Sequence, residues 1–168
     1  MTGTIIFREV QRWRNVWWVM ALVLGLAALQ WWIFFVQIIR GVPVGNNPGS
    51  DTLVVIIWLI FGIGFPAFFL WLHMVVEVIP GAVIICYRPF ANRRIPAEQI
   101  IRVGPLAYKP IRECGGWGVR GWGGRIAYNV SGDTGVELTL ADGRRVLIGS
   151  QRADELAVAF DVILSDRG

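Results

Sequence analysis

Two long apolar runs fill most of the first half of the chain, and short runs of alternating character fill the second. From residue 16 to residue 39 the only strongly polar side chains are Gln30 and Gln37. At about 1.5 Å rise per residue, such a run covers the hydrocarbon core of a bilayer with allowance for tilt, and it predicts a transmembrane helix over 16–39. Trp13, Trp17 and Trp18 stand at its start and Arg40 at its end, where indole rings and a snorkelling guanidinium are favourable. Residues 53–72 carry no charge or strongly polar group, and the run continues through His73 to Val76. It predicts a second transmembrane helix over 53–76, joined to the first by a short external loop over 40–52. Gln30 and Gln37, seven apart, share one stripe and are expected to face the second helix or another protein. Gly62, Gly64 and Pro66 predict a kink or a close helix contact.

After Pro80 and Gly81 the period changes. Residues 82–87 and 95–103 read as strands, and 126–130, 136–140 and 144–148 as a meander. Val136, Leu138 and Leu140 alternate with Glu137 and Thr139, so one face is buried, and Asp142-Gly143 is a hairpin signal. Ser150 is placed to cap a helix over about 151–165, whose Leu156, Phe160, Ile163 and Leu164 form an apolar stripe. Upstream of the first helix, Ile5, Phe7 and Glu9 alternate as well. Residues 1–15 are therefore a cytoplasmic segment with a candidate strand of the soluble domain, and an amphipathic interfacial segment is the competing reading. The expected fold class is an α+β membrane protein: a two-helix hairpin followed, over 77–168, by a small antiparallel β-sheet domain with a C-terminal helix.

Composition supports this division. Hydrophobic residues make up 55% of the chain and charged ones 17%, and seven of the nine tryptophans fall between Trp13 and Trp71. That suits helices anchored at headgroups better than a soluble aromatic core. Arg8, Arg12 and Arg14 precede the first run and Arg88, Arg93 and Arg94 follow the second, against Arg40 alone between them. The positive-inside bias then places both termini in the cytoplasm of a cell with an inner membrane. Residues 88–125 hold eight Arg or Lys against Glu98 and Glu113, a local excess whose nearest counterpart is anionic lipid headgroups. The total of +4 does not call for nucleic acid. Cys86 and Cys114 are too few for a disulfide scaffold and lack metal-ligand spacing.

The segment 114–125 is the most unusual in the chain. Gly116, Gly118 and Gly121 spell GxGxxG, but a dinucleotide fingerprint has to join a strand to a helix inside a βαβ unit, and no such unit surrounds it. The better reading is a flexible or tightly turned loop presenting Trp117 and Trp122 beside Arg112, Arg120 and Arg125, residue types that dominate contact energies with proteins and headgroups, with local structural packing as the competing reading. His73, the single histidine, would sit near the end of the second helix. There it is either an axial ligand of haem or chlorophyll or an interfacial side chain pairing with Glu77 one turn on or with a lipid headgroup. No cluster of Cys, His, Asp and Glu favours a protein-only metal site, and no second histidine serves a nucleophile. An enzyme is not expected, and no small-molecule substrate is identified.

The antiparallel strands closed by one amphipathic helix, with Arg93-Arg94-Ile95-Pro96, Glu98-Gln99-Ile100 and residues 132–149 leading to Ser150, resemble the bacterial pleckstrin-homology-like (PH-like) domains of small membrane proteins. The resemblance covers roughly 82–164 and implies a binding or scaffolding module without catalysis. The expected function is a non-catalytic accessory or scaffolding subunit of a membrane complex, such as a respiratory or photosynthetic one. It would dock on integral membrane partners through Gln30, Gln37, Gly62, Gly64 and Pro66 and through the soluble domain. The alternative is a self-contained membrane-tethered sensor of lipid or peptide.

Overall fold

The computed structural model describes residues 4–110, 112 and 115–165. The chain forms two compact units, one of Trp13–Leu72 and one joining Met1–Arg12 to His73–Gly168.

The first unit is a helical hairpin. A short 3-10 turn, Trp13–Asn15, leads into α1, Trp17–Phe34, which ends in a π-helical stretch, Phe35–Ile39. The return limb starts at α2, Asp51–Ile57, where the Ser50 hydroxyl accepts from the Leu53 N–H at 3.4 Å, a Ser N-cap. A second π-helical stretch, Trp58–Gly64, follows, and then α3, Phe65–Trp71. The sequence explains the interruption. Pro66 has no N–H for the Gly62 carbonyl, its α-helical partner four residues back, and that carbonyl accepts instead from Trp31 Nε1 at 3.2 Å. The expected irregularity at Gly62, Gly64 and Pro66 is thus a π-helical segment held to α1. Both limbs, Trp17–Ile39 and Asp51–Trp71, are long and apolar enough to cross a membrane.

The second limb is shorter than the predicted 53–76. It ends at Trp71, and His73–Ile79 form strand β2. An apolar run does not by itself separate helix from strand. The deciding features are the β-branched Val75, Val76, Val78 and Ile79 and a period of two, with Met74, Val76 and Val78 fully buried.

The second unit holds two sheets. One runs in the order β1-β2-β3-β4, with β1 at Phe7–Arg12, β3 at Ala82–Arg88 and β4 at Ala91–Pro96, every pair antiparallel. The alternating Phe7, Glu9 and Gln11 of β1 face inward, so the N-terminal segment does supply a strand. The other sheet has the order β5-β8-β9-β7-β6. Its strands are β5 (Ile100–Ala107), β6 (Gly118–Trp122), β7 (Arg125–Asn129), β8 (Thr134–Leu140) and β9 (Arg145–Gly149). The Asp142-Gly143 hairpin joins β8 to β9 as expected. The meander is not found, because β7 pairs in parallel with β9 rather than with β8. The predicted strand over 95–103 is also divided, between β4 and β5, by a 3-10 turn at Ala97–Gln99. Helix α4, Ala153–Ser165, packs Leu156, Ala159, Phe160 and Ile163 against β1 and β2 of one sheet and β5 and β8 of the other.

One topological feature shapes the molecule. β1 and β2 pair from Phe7↔Val78 to Arg12↔His73, yet the whole helical hairpin lies between them in sequence. The two helices are inserted into the tip of a β-hairpin.

Candidate functional site

The Trp/Arg segment is built on the β6–β7 hairpin. Gly123 and Gly124 form its two-residue turn with φ of +53° and +79°, positive values at both positions that glycine adopts without Cβ strain. The base of the hairpin is held by Asn129, which is fully buried. Its Oδ1 accepts from the Gly118 N–H at 2.8 Å, its Nδ2 donates to the Tyr108 hydroxyl at 3.2 Å, and its carbonyl accepts from the Tyr87 hydroxyl at 3.3 Å. These bonds fix a glycine-rich strand that has few side chains of its own to pack.

The predicted contact residues do not all share one environment. Arg112 and Arg120 are exposed. Trp117 is half-buried, and its Nε1 donates to the Gly132 carbonyl at 3.3 Å. Arg125 turns inward, its Nε 2.7 Å from Glu137 Oε2, with Arg145 Nη1 4.0 Å from the other carboxylate oxygen. Trp122 belongs to β6, but its side chain lies outside the described residues, as does Cys114. Gly118 and Gly121 lie in an edge strand of a hairpin, not at a strand-to-helix junction.

In the helical hairpin, Gln37, Gly62 and Gly64 of the expected contact residues are engaged within the unit. Gln37 is buried, and its Nε2 donates to the Gly49 carbonyl at 2.8 Å and to Asp51 Oδ1 at 3.0 Å. Gly62 lies beneath Trp58, whose ring stacks on Phe34 at 4.1 Å and meets Trp31 edge-on at 4.9 Å. A Cβ at Gly64 would sit 3.3 Å from the Leu59 carbonyl of its own limb, and Pro66 opens α3. Gln30 is half-buried.

His73 occupies the first position of β2, not a helix end. The expected pairing with Glu77 one helical turn on is therefore lost, because four residues of strand span about 13 Å. Glu77 instead pairs with Arg8 Nε at 3.0 Å on the neighbouring strand. Across the two ladders, His73 stands between Arg12 of β1 and Arg88 of β3. Two residues along, Val10, Val75, Cys86 and Asn92 form the next row, and beyond it Arg8, Glu77, Ile84 and Arg94. This outer face of the four-stranded sheet thus carries four arginines and one histidine against one carboxylate. The sequence contained a signal for it, since Arg8, Val10 and Arg12 share a face at period two. The strand character of 73–79 was needed to use that signal.

A second polar tie in the unit joins β1 to the start of α4. Glu9 of β1, only 8% exposed, accepts from the Ser150 hydroxyl at 2.5 Å and from the Gln151 N–H at 3.0 Å, while Ser150 Oγ accepts from the Arg152 N–H at 3.0 Å. Together they serve the N–H groups ahead of α4, where a carboxylate also meets the positive end of the helix dipole. Gln11 Nε2 adds a bond to the Gly149 carbonyl at 2.8 Å. Among the described residues no group of three or more His, Cys, Asp or Glu side chains could hold a metal ion.

Residues 1–166 match a family of unknown function (DUF6141), and the chain belongs to it. No curated protein matches the chain.

Proposed function

We propose that this is a two-span inner-membrane protein whose cytoplasmic PH-like β-sandwich is a non-catalytic docking module, serving as an accessory or scaffolding subunit of a membrane complex. The observation that carries the reading is the insertion of the helical hairpin between β1 and β2. Strands paired over six positions keep both ends of the insert on one side of whatever it crosses, so 1–12 and 73–168 share a compartment. The arginine bias makes that compartment the cytoplasm. The exposure of the helices supports the spans: only 22% and 11% of their most apolar windows are buried, where the core helix of a soluble protein would be mostly covered.

Gln37 and Gly62 are occupied inside the hairpin, which shifts the weight of docking from the helices to the sandwich. There the β6–β7 hairpin offers exposed Arg120 on an edge strand of glycine-rich backbone, with exposed Arg112 close in sequence. An edge strand without proline or a bulge is a template for pairing, and arginine adds charge selection. The test is extraction of the tagged chain from its native membrane in a mild detergent, followed by native electrophoresis and mass identification. A stoichiometric high-mass band that is lost in Arg112→Ala/Arg120→Ala is the expected result. Recovery of the wild-type chain only as monomer or homodimer under several mild detergents refutes the subunit reading.

A further inference from the structure

We infer that the outer face of the four-stranded sheet binds the phosphate headgroups of anionic lipids, with the Arg12–His73–Arg88 row as its centre; this inference rests on the two-span reading above. The row joins three nitrogen-bearing side chains on adjacent strands, and Arg12 and Arg88 make no ion pair among the described residues. The single carboxylate of the face, Glu77, lies two rows away and is engaged by Arg8 at 3.0 Å. A concave surface of about 380 Å³ runs along the face, lined by Arg8, His73, Glu77, Cys86, Arg88 and Asn92 among others. Guanidinium forks match phosphate oxygens, and the cationic surroundings of His73 suit an anion better than a metal ion.

Chain connectivity selects a lipid as the source of that phosphate. Arg12 is followed directly by Trp13 and His73 is preceded directly by Leu72, so both strands leave the apolar hairpin without a linker. The headgroup layer adds roughly 5–7 Å to each side of the hydrocarbon core. Of the rows on this face, the first is the one joined directly in sequence to the apolar hairpin, and the Arg8–Arg94 row is four strand residues removed from that junction. The first row is therefore the one that meets phosphates of the leaflet in which the chain is anchored.

The full chain is reconstituted in nanodiscs of equal phosphatidylcholine and phosphatidylglycerol and released in mild detergent. Retained lipids are then counted by native mass spectrometry. Wild type should keep phosphatidylglycerol over phosphatidylcholine. Arg12→Gln/Arg88→Gln should lose this preference by on the order of tenfold, because each basic residue near an anionic surface contributes about a fivefold gain. Arg12→Lys/Arg88→Lys should keep part of it, and Arg102→Gln/Arg144→Gln, in β5 and the β8–β9 turn, should keep all of it. Undiminished preference in Arg12→Gln/Arg88→Gln overturns the inference. Should that variant fail to fold, the wild-type chain decides: retention that does not weaken between low and high salt also overturns it. A separate arm labels single cysteines replacing Asn46 and Gly135 in intact cells, in a chain lacking Cys86 and Cys114. Modification at 46 with protection at 135 upholds the spans, so undiminished preference in Arg12→Gln/Arg88→Gln, or no preference in wild type, beside that pattern refutes this site alone. Protection or labelling of both refutes the spans and this site with them.

Discussion

The two sheets of the sandwich reach the same depth of burial by different means. In the four-stranded sheet, spatial order follows chain order and β1 and β2 alternate cleanly: Met74, Val76 and Val78 point inward between His73, Val75, Glu77 and Ile79. In the five-stranded sheet the order is rearranged, one pair is parallel, and buried positions run together, as in Val146, Leu147, Ile148 and Gly149 of β9. A strand covered on both faces gives up alternation. It depends instead on close backbone approaches and on polar anchors such as Asn129. The first sheet is thus tolerant wherever its period is respected, and the second is intolerant at particular atoms.

The largest test of this difference compares two glycines. A Cβ at Gly135 of β8 would fall on the Ile148 carbonyl oxygen of β9, well inside van der Waals contact, and neither backbone has room to yield. Gly135→Ala should destabilise the sandwich by about 3 kcal/mol or more, at or beyond the upper end of overpacking costs. Gly81, in the β2–β3 turn of the first sheet, has φ of +77° and open space around it, so Gly81→Ala should cost only the left-handed backbone strain of about 1–2 kcal/mol. Urea titration of both variants in detergent, followed by circular dichroism, measures the gap; equal losses would erase the distinction.

An intermediate effect is expected at the seam between the sheets. Glu9→Ala removes the acceptor for Ser150 Oγ and the Gln151 N–H and leaves α4 with Ser150 alone at its start. The expected loss is about 2 kcal/mol in the same titration, within the range for helix caps and for buried groups left unpaired. Glu9→Gln, which keeps an acceptor oxygen, should recover part of it. A loss from Glu9→Ala no larger than from an exposed substitution such as Arg102→Ala would show that β1 is held by its apolar residues alone.

The smallest effect belongs to the β8–β9 turn. The Arg144 side chain and N–H both bond to Asp142, and these bonds hold its carboxyl below the usual 3.8. A carboxyl whose folded value is depressed adds stability above its unfolded value and loses it as pH falls through the folded one. The window therefore lies below about pH 4. Full solvent exposure keeps the contribution small. Acid titration of wild type beside Asp142→Asn should show a slightly steeper loss in wild type across that window, and coincident curves would leave the turn to Gly143 and backbone bonds.

Much of the architecture was legible in local pattern. Helix α1 and its π-helical extension, Trp17–Ile39, occupy nearly the whole of the expected 16–39. Asp142-Gly143 makes the hairpin that its dipeptide signals, and the stripe of Leu156, Phe160 and Ile163 is the buried face of α4. The strand at His73–Ile79 was misread because its apolar character continues that of the preceding helix, and only β-branching marks the change. Of the Trp/Arg segment, the sequence identified the exposed Arg112 and Arg120 but not the inward turn of Arg125, whose partner Glu137 lies two strands away in space.

The chain by itself determined what depends on neighbours in sequence: two apolar helices, the interruption at Gly62 and Pro66, the period of two in β8, and the alternation that sets Phe7, Glu9 and Gln11 of β1 on one face and Arg8, Val10 and Arg12 on the other. Tertiary structure decided what depends on distant groups meeting. It paired β1 with β2 across the sixty residues of the inserted hairpin, set β7 parallel to β9, and brought Glu9 to Gln151, 142 residues away and just ahead of α4. Those choices follow from satisfying buried polar groups and from closing two sheets over one core, conditions that apply to the folded molecule as a whole and leave little trace in a local window.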